Sequence, residues 1–104
     1  MNYIKIDLDR QLGHIHPHIF GGFVEHLGRC LYGGVYEPGS PLADEQGFRT
    51  DVLEALGRLN MPIMRYPGGN FASGYRWMDG VGPVEDRPAR PELAWGTIET
   101  NHFG

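Results

Sequence analysis

The chain has 104 residues and a formal charge of −4, with 40% hydrophobic and 12% aromatic residues. Acidic and basic residues are interspersed, so there is no basic patch of the kind that nucleic acid or an anionic lipid surface requires. A single cysteine, Cys30, excludes an internal disulfide and reads as a small buried thiol.

The opening segment has no long apolar run and no small-residue cleavage site, so neither a signal peptide nor a membrane span is expected, and a cytoplasmic location is the default. Residues 3–8 alternate, with Ile4, Ile6 and Leu8 on one side and Lys5 and Asp7 on the other, as in a half-buried strand. His14, His16 and His18 sit two apart and share a face on an extended chain. No cysteine or carboxylate completes a metal set, so neither a metal nor a cofactor is expected. Ile19 to Val24 is a continuous apolar run, which suits a strand covered on both faces. The sixteen glycines and eight prolines of the chain are dense over residues 28–47, which predicts a long structured loop.

Phe48 to Leu59 carries the clearest helical period, with Val52, Leu53, Leu56 and Leu59 on one stripe. Glu54 and Arg58 are spaced to pair at i, i+4, and Asn60 and Pro62 end the helix. Ile63 to Tyr66 predicts a second strand stopped by Pro67. Gly68-Gly69 matches no phosphate-loop spacing and reads as a tight turn with positive φ. Phe71 to Pro91 reads as loop, and Leu93 to Thr100 as the start of another element. Strand, helix and strand over residues 19–66 make one βαβ unit of a parallel sheet.

Such sheets bind ligands at the C-terminal ends of their strands. Glu25-His26 and Arg65 to Asn70 fall there. A carboxylate, a guanidinium and an amide meeting at one mouth could hydrogen-bond a polyol such as a sugar. Glu25 and Arg65 equally fit a structural ion pair, and spacing alone leaves both open. Tyr66, Tyr75, Trp77 and Trp95 suit either sugar stacking or a core.

Phe23-Val24-Glu25-His26-Leu27-Gly28-Arg29, Tyr32-Gly33-Gly34-Val35-Tyr36-Glu37-Pro38-Gly39 and Arg65-Tyr66-Pro67-Gly68-Gly69-Asn70-Phe71 resemble the opening of family 51 α-L-arabinofuranosidases. Gly74-Tyr75-Arg76-Trp77, Gly82-Pro83, Arg87-Pro88, Leu93-Ala94-Trp95 and Glu99-Thr100-Asn101 continue the likeness, so that it runs from about Ile19 to Gly104. His102 departs from it, standing where the family pattern has a glutamate.

The resemblance implies an α/β fold, the N-terminal portion of a (β/α)8 TIM barrel preceded by one strand of a C-terminal jelly-roll β-sandwich. Residues 1–17 would be the strand and linker of the sandwich, and residues 18–104 the incomplete start of the catalytic barrel. It implies retaining hydrolysis of terminal α-L-arabinofuranosyl groups in arabinan, arabinoxylan and related oligosaccharides, by a proton-donating carboxylic acid and a nucleophilic carboxylate. Neither of that pair falls in this sequence, which has no Asn-Glu-Pro segment, so no catalytic residue is assigned. By the same likeness Glu25, Arg65, Asn70 and Trp95 would line the arabinose subsite: Glu25 accepting from hydroxyls, Arg65 orienting carboxylates, Asn70 bonding a hydroxyl and Trp95 forming an apolar wall. A homo-oligomer is implied for the intact enzyme. Other readings are a non-catalytic sugar-binding or split-subunit piece and a different retaining barrel glycosidase.

Overall fold

The computed structural model describes residues 1–103. Residues 1–21 are exposed throughout, and no strand forms over residues 3–8. Ile4, Ile6 and Leu8 are 92%, 79% and 86% exposed. Alternation gives a strand one apolar face but supplies no neighbour to bond, and an unpaired strand leaves its backbone groups to water. The expected strand is therefore absent over residues 3–8.

The first regular element is a 3-10 helix, Pro17–Phe20, with Pro17 in the first turn and the His16 ring nitrogen accepting the His18 N–H at 3.2 Å. That turn takes Ile19 and Phe20, the start of the predicted strand, and sets the His16 and His18 rings edge to face at 4.4 Å. What remains extended is β1, Gly22–Phe23. It pairs in parallel with β2, Met64–Arg65, in the register Gly22 to Met64 and Phe23 to Arg65. Gly22 N–H donates to Ile63 O and Val24 N–H to Arg65 O, both at 2.9 Å.

Between them lies α1, Thr50–Gly57, shorter at both ends than the predicted helix. Arg58 Nη2 reaches Glu54 Oε1 at 2.7 Å, the expected i, i+4 pair. Asn60 takes φ 47° and turns the chain out of the helix. The order β1–α1–β2 with parallel strands is the predicted βαβ unit. Its apolar stripe is only partly covered, since Leu53 and Leu59 are 42% and 63% exposed.

The loop ahead of α1 is organised by its own backbone. Tyr36 N–H bonds Leu31 O, Glu37 N–H bonds Gly47 O, and Arg49 N–H bonds Val35 O, all at 2.8–2.9 Å. Gly34 is obligatory in this loop, because a Cβ there would lie 2.0 Å from the Arg29 carbonyl oxygen. Arg49 ties the loop to the helix through Glu37 and Asp51, each at 2.7 Å. Cys30 is exposed in the loop, not buried as its residue type suggested, because the turn around it faces water.

The stretch after β2, predicted as loop, contains 3-10 helices at Asn70–Ser73, Trp77–Gly80 and Val84–Asp86. It leads into an antiparallel hairpin of β3, Arg90–Glu92, and β4, Thr97–Glu99, joined by residues 93–96. The element expected over Leu93 to Thr100 is the turn and second strand of this hairpin, whose first strand lies ahead of Leu93.

Among the described residues, only Leu31 and Phe71 are fully buried apolar side chains. The radius of gyration is 18.9 Å, against about 13 Å for a compact chain of this length. Stability therefore rests on few apolar contacts. Phe71→Ala is expected to cost about 3–5 kcal/mol and to leave most molecules unfolded, whereas Ile6→Ala should fall within about 0.5 kcal/mol of the parent. Urea unfolding followed by circular dichroism measures both.

Candidate functional site

Because β1 and β2 are parallel, the chain leaves both at the same edge. Glu25 follows β1 there, and Gly68 to Phe71 follow β2. The turn at Gly68, with φ 110°, lays its backbone against Glu25: a Cβ on Gly68 would sit 2.2 Å from the Glu25 Cβ. This is the positive-φ turn read from Gly68-Gly69, with Gly68 as the residue that needs it.

The chain then enters the 3-10 helix Asn70–Ser73, and its first N–H groups face the Glu25 carboxylate. Phe71 N–H donates to Glu25 Oε1 at 3.0 Å. That bond is the main cause that holds the Glu25 carboxyl below the usual carboxylate range. Partial burial opposes it, and the N–H groups of Gly69 and Asn70 and the Trp95 indole add to the lowering. Glu25 is thus a fixed anion, an acceptor whose remaining lone pairs can take hydroxyl protons.

The other predicted residues are placed unequally. Trp95 reaches Glu25 and is 36% exposed, leaving ring surface open. Asn70 contributes its backbone N–H to Glu25 and is itself exposed. Arg65 forms no ion pair with Glu25 among the described residues. Its Nη2 donates to Gly68 O at 3.2 Å and its guanidinium carbon lies 4.8 Å above the Phe23 ring. The structural ion pair considered from the sequence is therefore not formed, and Arg65 instead braces the turn that holds Glu25. A hollow of about 340 Å³ is bounded by Phe71, Tyr75, Arg90, Glu92, Glu99 and Asn101; Glu25, Arg65, Asn70 and Trp95 do not line it. Two strands cannot by themselves enclose a mouth around those four.

A second cluster lies behind Glu25 and was not found by sequence reasoning. His26 follows Glu25 beyond the end of β1, and its side chain is buried. His26 Nε2 is 3.3 Å from Glu99 Oε2, with side chains only 5% and 7% exposed. The Tyr32 hydroxyl and the Asn101 N–H both donate to Glu99 Oε1, the latter at 2.7 Å. The His26 ring stacks on Phe71 at 3.8 Å and 14°, with Tyr66, Tyr75 and Phe103 around it. His26 Nδ1 and Asn101 Oδ1 are buried without a hydrogen-bond partner. Burial pulls the His26 pKa below 6.5, against the raising effect of Glu99. Burial also pushes Tyr32 up to about 12. The only sequence signal for this cluster was the presence of His26 and Glu99 inside the quoted motifs, since 73 positions separate them and no spacing rule joins them.

Comparison with known proteins adds the context. Residues 55–104 match the model of the α-L-arabinofuranosidase 1 domain. A probable α-L-arabinofuranosidase C of Aspergillus terreus is 64% identical over 101 residues, 97% of this chain and 20% of the relative. The solved family 51 α-L-arabinofuranosidase of Thermotoga petrophila superposes with a TM-score of 0.81 at 63% identity, over 84% of this chain and 18% of that one. The α-L-arabinofuranosidase of Thermotoga maritima, solved as an arabinose complex, gives the same TM-score and identity over 84% of this chain and 18% of that one. The chain thus spans about a fifth of the relatives it matches.

The His26 shift has a consequence for stability. With the folded-state pKa below 6.5, the unfolded chain takes up the proton first, so this contribution is fully present above 6.5 and is lost as pH falls from there through the folded value. The Glu25 contribution persists further, failing only as pH falls below its ordinary 4.5. Urea midpoints measured in steps from pH 7.5 to about 5 should decline, and His26→Gln should flatten that decline.

Proposed function

We propose that this chain, which by sequence belongs with the family 51 α-L-arabinofuranosidases, forms the part of such an enzyme that grips the arabinofuranosyl ring. The observation that carries this reading is the Glu25 carboxylate, kept charged by backbone N–H groups after β2 and bordered by the Trp95 ring. Oriented acceptors beside an aromatic face are what a sugar needs, since its hydroxyls donate and its C–H faces pack on rings. The arabinose complex of the Thermotoga maritima relative supports the choice of ligand.

In this reading Glu25 accepts from ring hydroxyls, Trp95 walls the apolar side, and the exposed Asn70 amide bonds a further hydroxyl. Arg65 holds the Gly68 turn and orients carboxylates. Hydrolysis with retention needs a proton-donating carboxylic acid and a nucleophilic carboxylate about 5–5.5 Å apart, and the likeness assigns both to sequence beyond these residues. The βαβ unit would be the first step of a TIM barrel, and residues 1–17 would serve the jelly-roll sandwich. Arabinose-bearing oligosaccharides or polysaccharides would be the substrate, and the intact enzyme a cytoplasmic homo-oligomer.

Titration of the chain with L-arabinose, followed by amide chemical shifts, tests this reading. Shifts should gather at Gly69 to Phe71 and at the Trp95 indole. Glu25→Gln should weaken binding about tenfold to a hundredfold, as expected for loss of hydrogen bonds to a charged acceptor. The same polypeptide should leave an aryl α-L-arabinofuranoside uncleaved. Shifts absent from Glu25's neighbours, or turnover by these residues alone, would contradict the assignment.

A further inference from the structure

The hairpin that carries Trp95 shares no backbone ladder with the β1–β2 pair that carries Glu25. Within the hairpin Trp95 is well fixed. The Glu92 carboxylate accepts the N–H groups of Ala94 and Trp95, both at 2.7 Å, and Gly96 N–H closes onto Glu92 O at 3.0 Å. What sets the hairpin against Glu25 is side-chain contact, and His26 is central to it. One face of its ring lies on Phe71, whose N–H holds Glu25. Its Nε2 meets Glu99, the last residue of β4.

We infer that His26 and Glu99 form a positioning pair that sets the distance and angle between Trp95 and Glu25. Their proposed role in sugar binding rests on the function argued above. A role in packing alone fits the details poorly. A buried polar pair costs desolvation, and apolar residues of similar volume often do as well or better for stability. The pair here also leaves His26 Nδ1 buried without a partner, a further cost. What the polar contact supplies is direction: one nitrogen, one carboxylate oxygen and one stacked ring admit one placement of β4 relative to Phe71. The second Glu99 oxygen is held by Tyr32 and by the Asn101 N–H, so the carboxylate cannot swing away from His26.

The chain has two tryptophans, so Trp77→Phe leaves Trp95 as the sole indole reporter. In that background Glu99→Ala should raise acrylamide quenching of Trp95 about twofold and weaken L-arabinose binding about tenfold, in a chain whose circular dichroism stays folded. Glu99→Gln keeps the volume and an acceptor for Tyr32 but puts a neutral amide in place of the charged oxygen that faces His26, and should give about half the quenching change and about threefold weaker binding. It decides the matter where the alanine variant does not fold. Val52→Ala, which loosens α1 away from this contact, should lower the urea midpoint and leave Trp95 quenching and the dissociation constant alone. Folded Glu99 variants with parental quenching and affinity overturn the inference, as does a Val52→Ala chain that moves Trp95 equally. A parent chain that does not bind arabinose, while Glu99→Gln still frees Trp95, sinks the sugar reading and keeps the positioning pair.

Discussion

A carboxylate placed just after β1 meets the leading N–H groups of a 3-10 helix that follows the turn after β2, and most of the local structure follows from that contact. For Phe71 N–H to reach Glu25 Oε1, the two strands must run the same way and end at the same edge. The turn between β2 and the 3-10 helix must also pass close enough that no side chain fits at Gly68. Arg65 then secures the turn by donating to the Gly68 carbonyl. The bond links residues 46 positions apart, and it closes the βαβ unit at its open end, where two-residue strands offer few ladder bonds.

Behind that contact the balance of forces is unusual for so small a chain. Among the described residues two apolar side chains are fully buried, while the polar side chains of His26, Glu99 and Asn101 share the interior with a ring of aromatics and the half-buried Tyr32. The aromatic edges pack around the His26 ring from several directions, and the hydrogen bonds at Glu99 give that packing an orientation. Asn101, at φ 62°, turns its side-chain amide back to the Pro88 carbonyl at 2.6 Å, and Arg87 holds the Asn101 carbonyl at 2.8 Å. These bonds fold residues 87–101 onto themselves, and Glu99 joins the segment to His26 and Tyr32. An interior of this kind specifies geometry well and stabilises it weakly.

That balance explains which features were legible in the sequence. The parallel βαβ unit could be read because it depends on local pattern: an apolar run, a 3.6-residue stripe and a second run ended by proline. The Glu54–Arg58 pair and the turn at Asn60 are equally local. Glu25, Asn70 and Trp95 were singled out through motif likeness, and the structure sets the Asn70 backbone N–H and the Trp95 indole against the Glu25 carboxylate. Arg65 illustrates the limit. Strand position told where the residue lies, but its side chain takes the Phe23 ring and the Gly68 carbonyl, choices that depend on shape. The pairing of His26 with Glu99 was not legible, because it joins motifs that lie far apart in the chain. The strand expected at residues 3–8 failed for a related reason: alternation marks a face and cannot supply the neighbour that the face and the backbone both need.

The exposed apolar residues carry the same lesson to the scale of the molecule. Phe20, Phe23, Leu53, Leu59 and Ile63 are each 42–67% exposed, and they belong to the two strands, the helix or their ends. A two-stranded sheet with one helix has faces it cannot cover, and in a closed barrel the same residues would meet neighbouring strands and helices. Such burial would add stability without altering Glu25, because the groups that fix its carboxylate come from the β2 turn and the β3–β4 hairpin within this chain. The geometry at Glu25 is thus set locally, by backbone N–H groups and the Trp95 indole, whereas durability of the fold depends on surface these residues leave open. The two requirements are separable because hydrogen bonds act over about 3 Å, while apolar burial sums over whole faces.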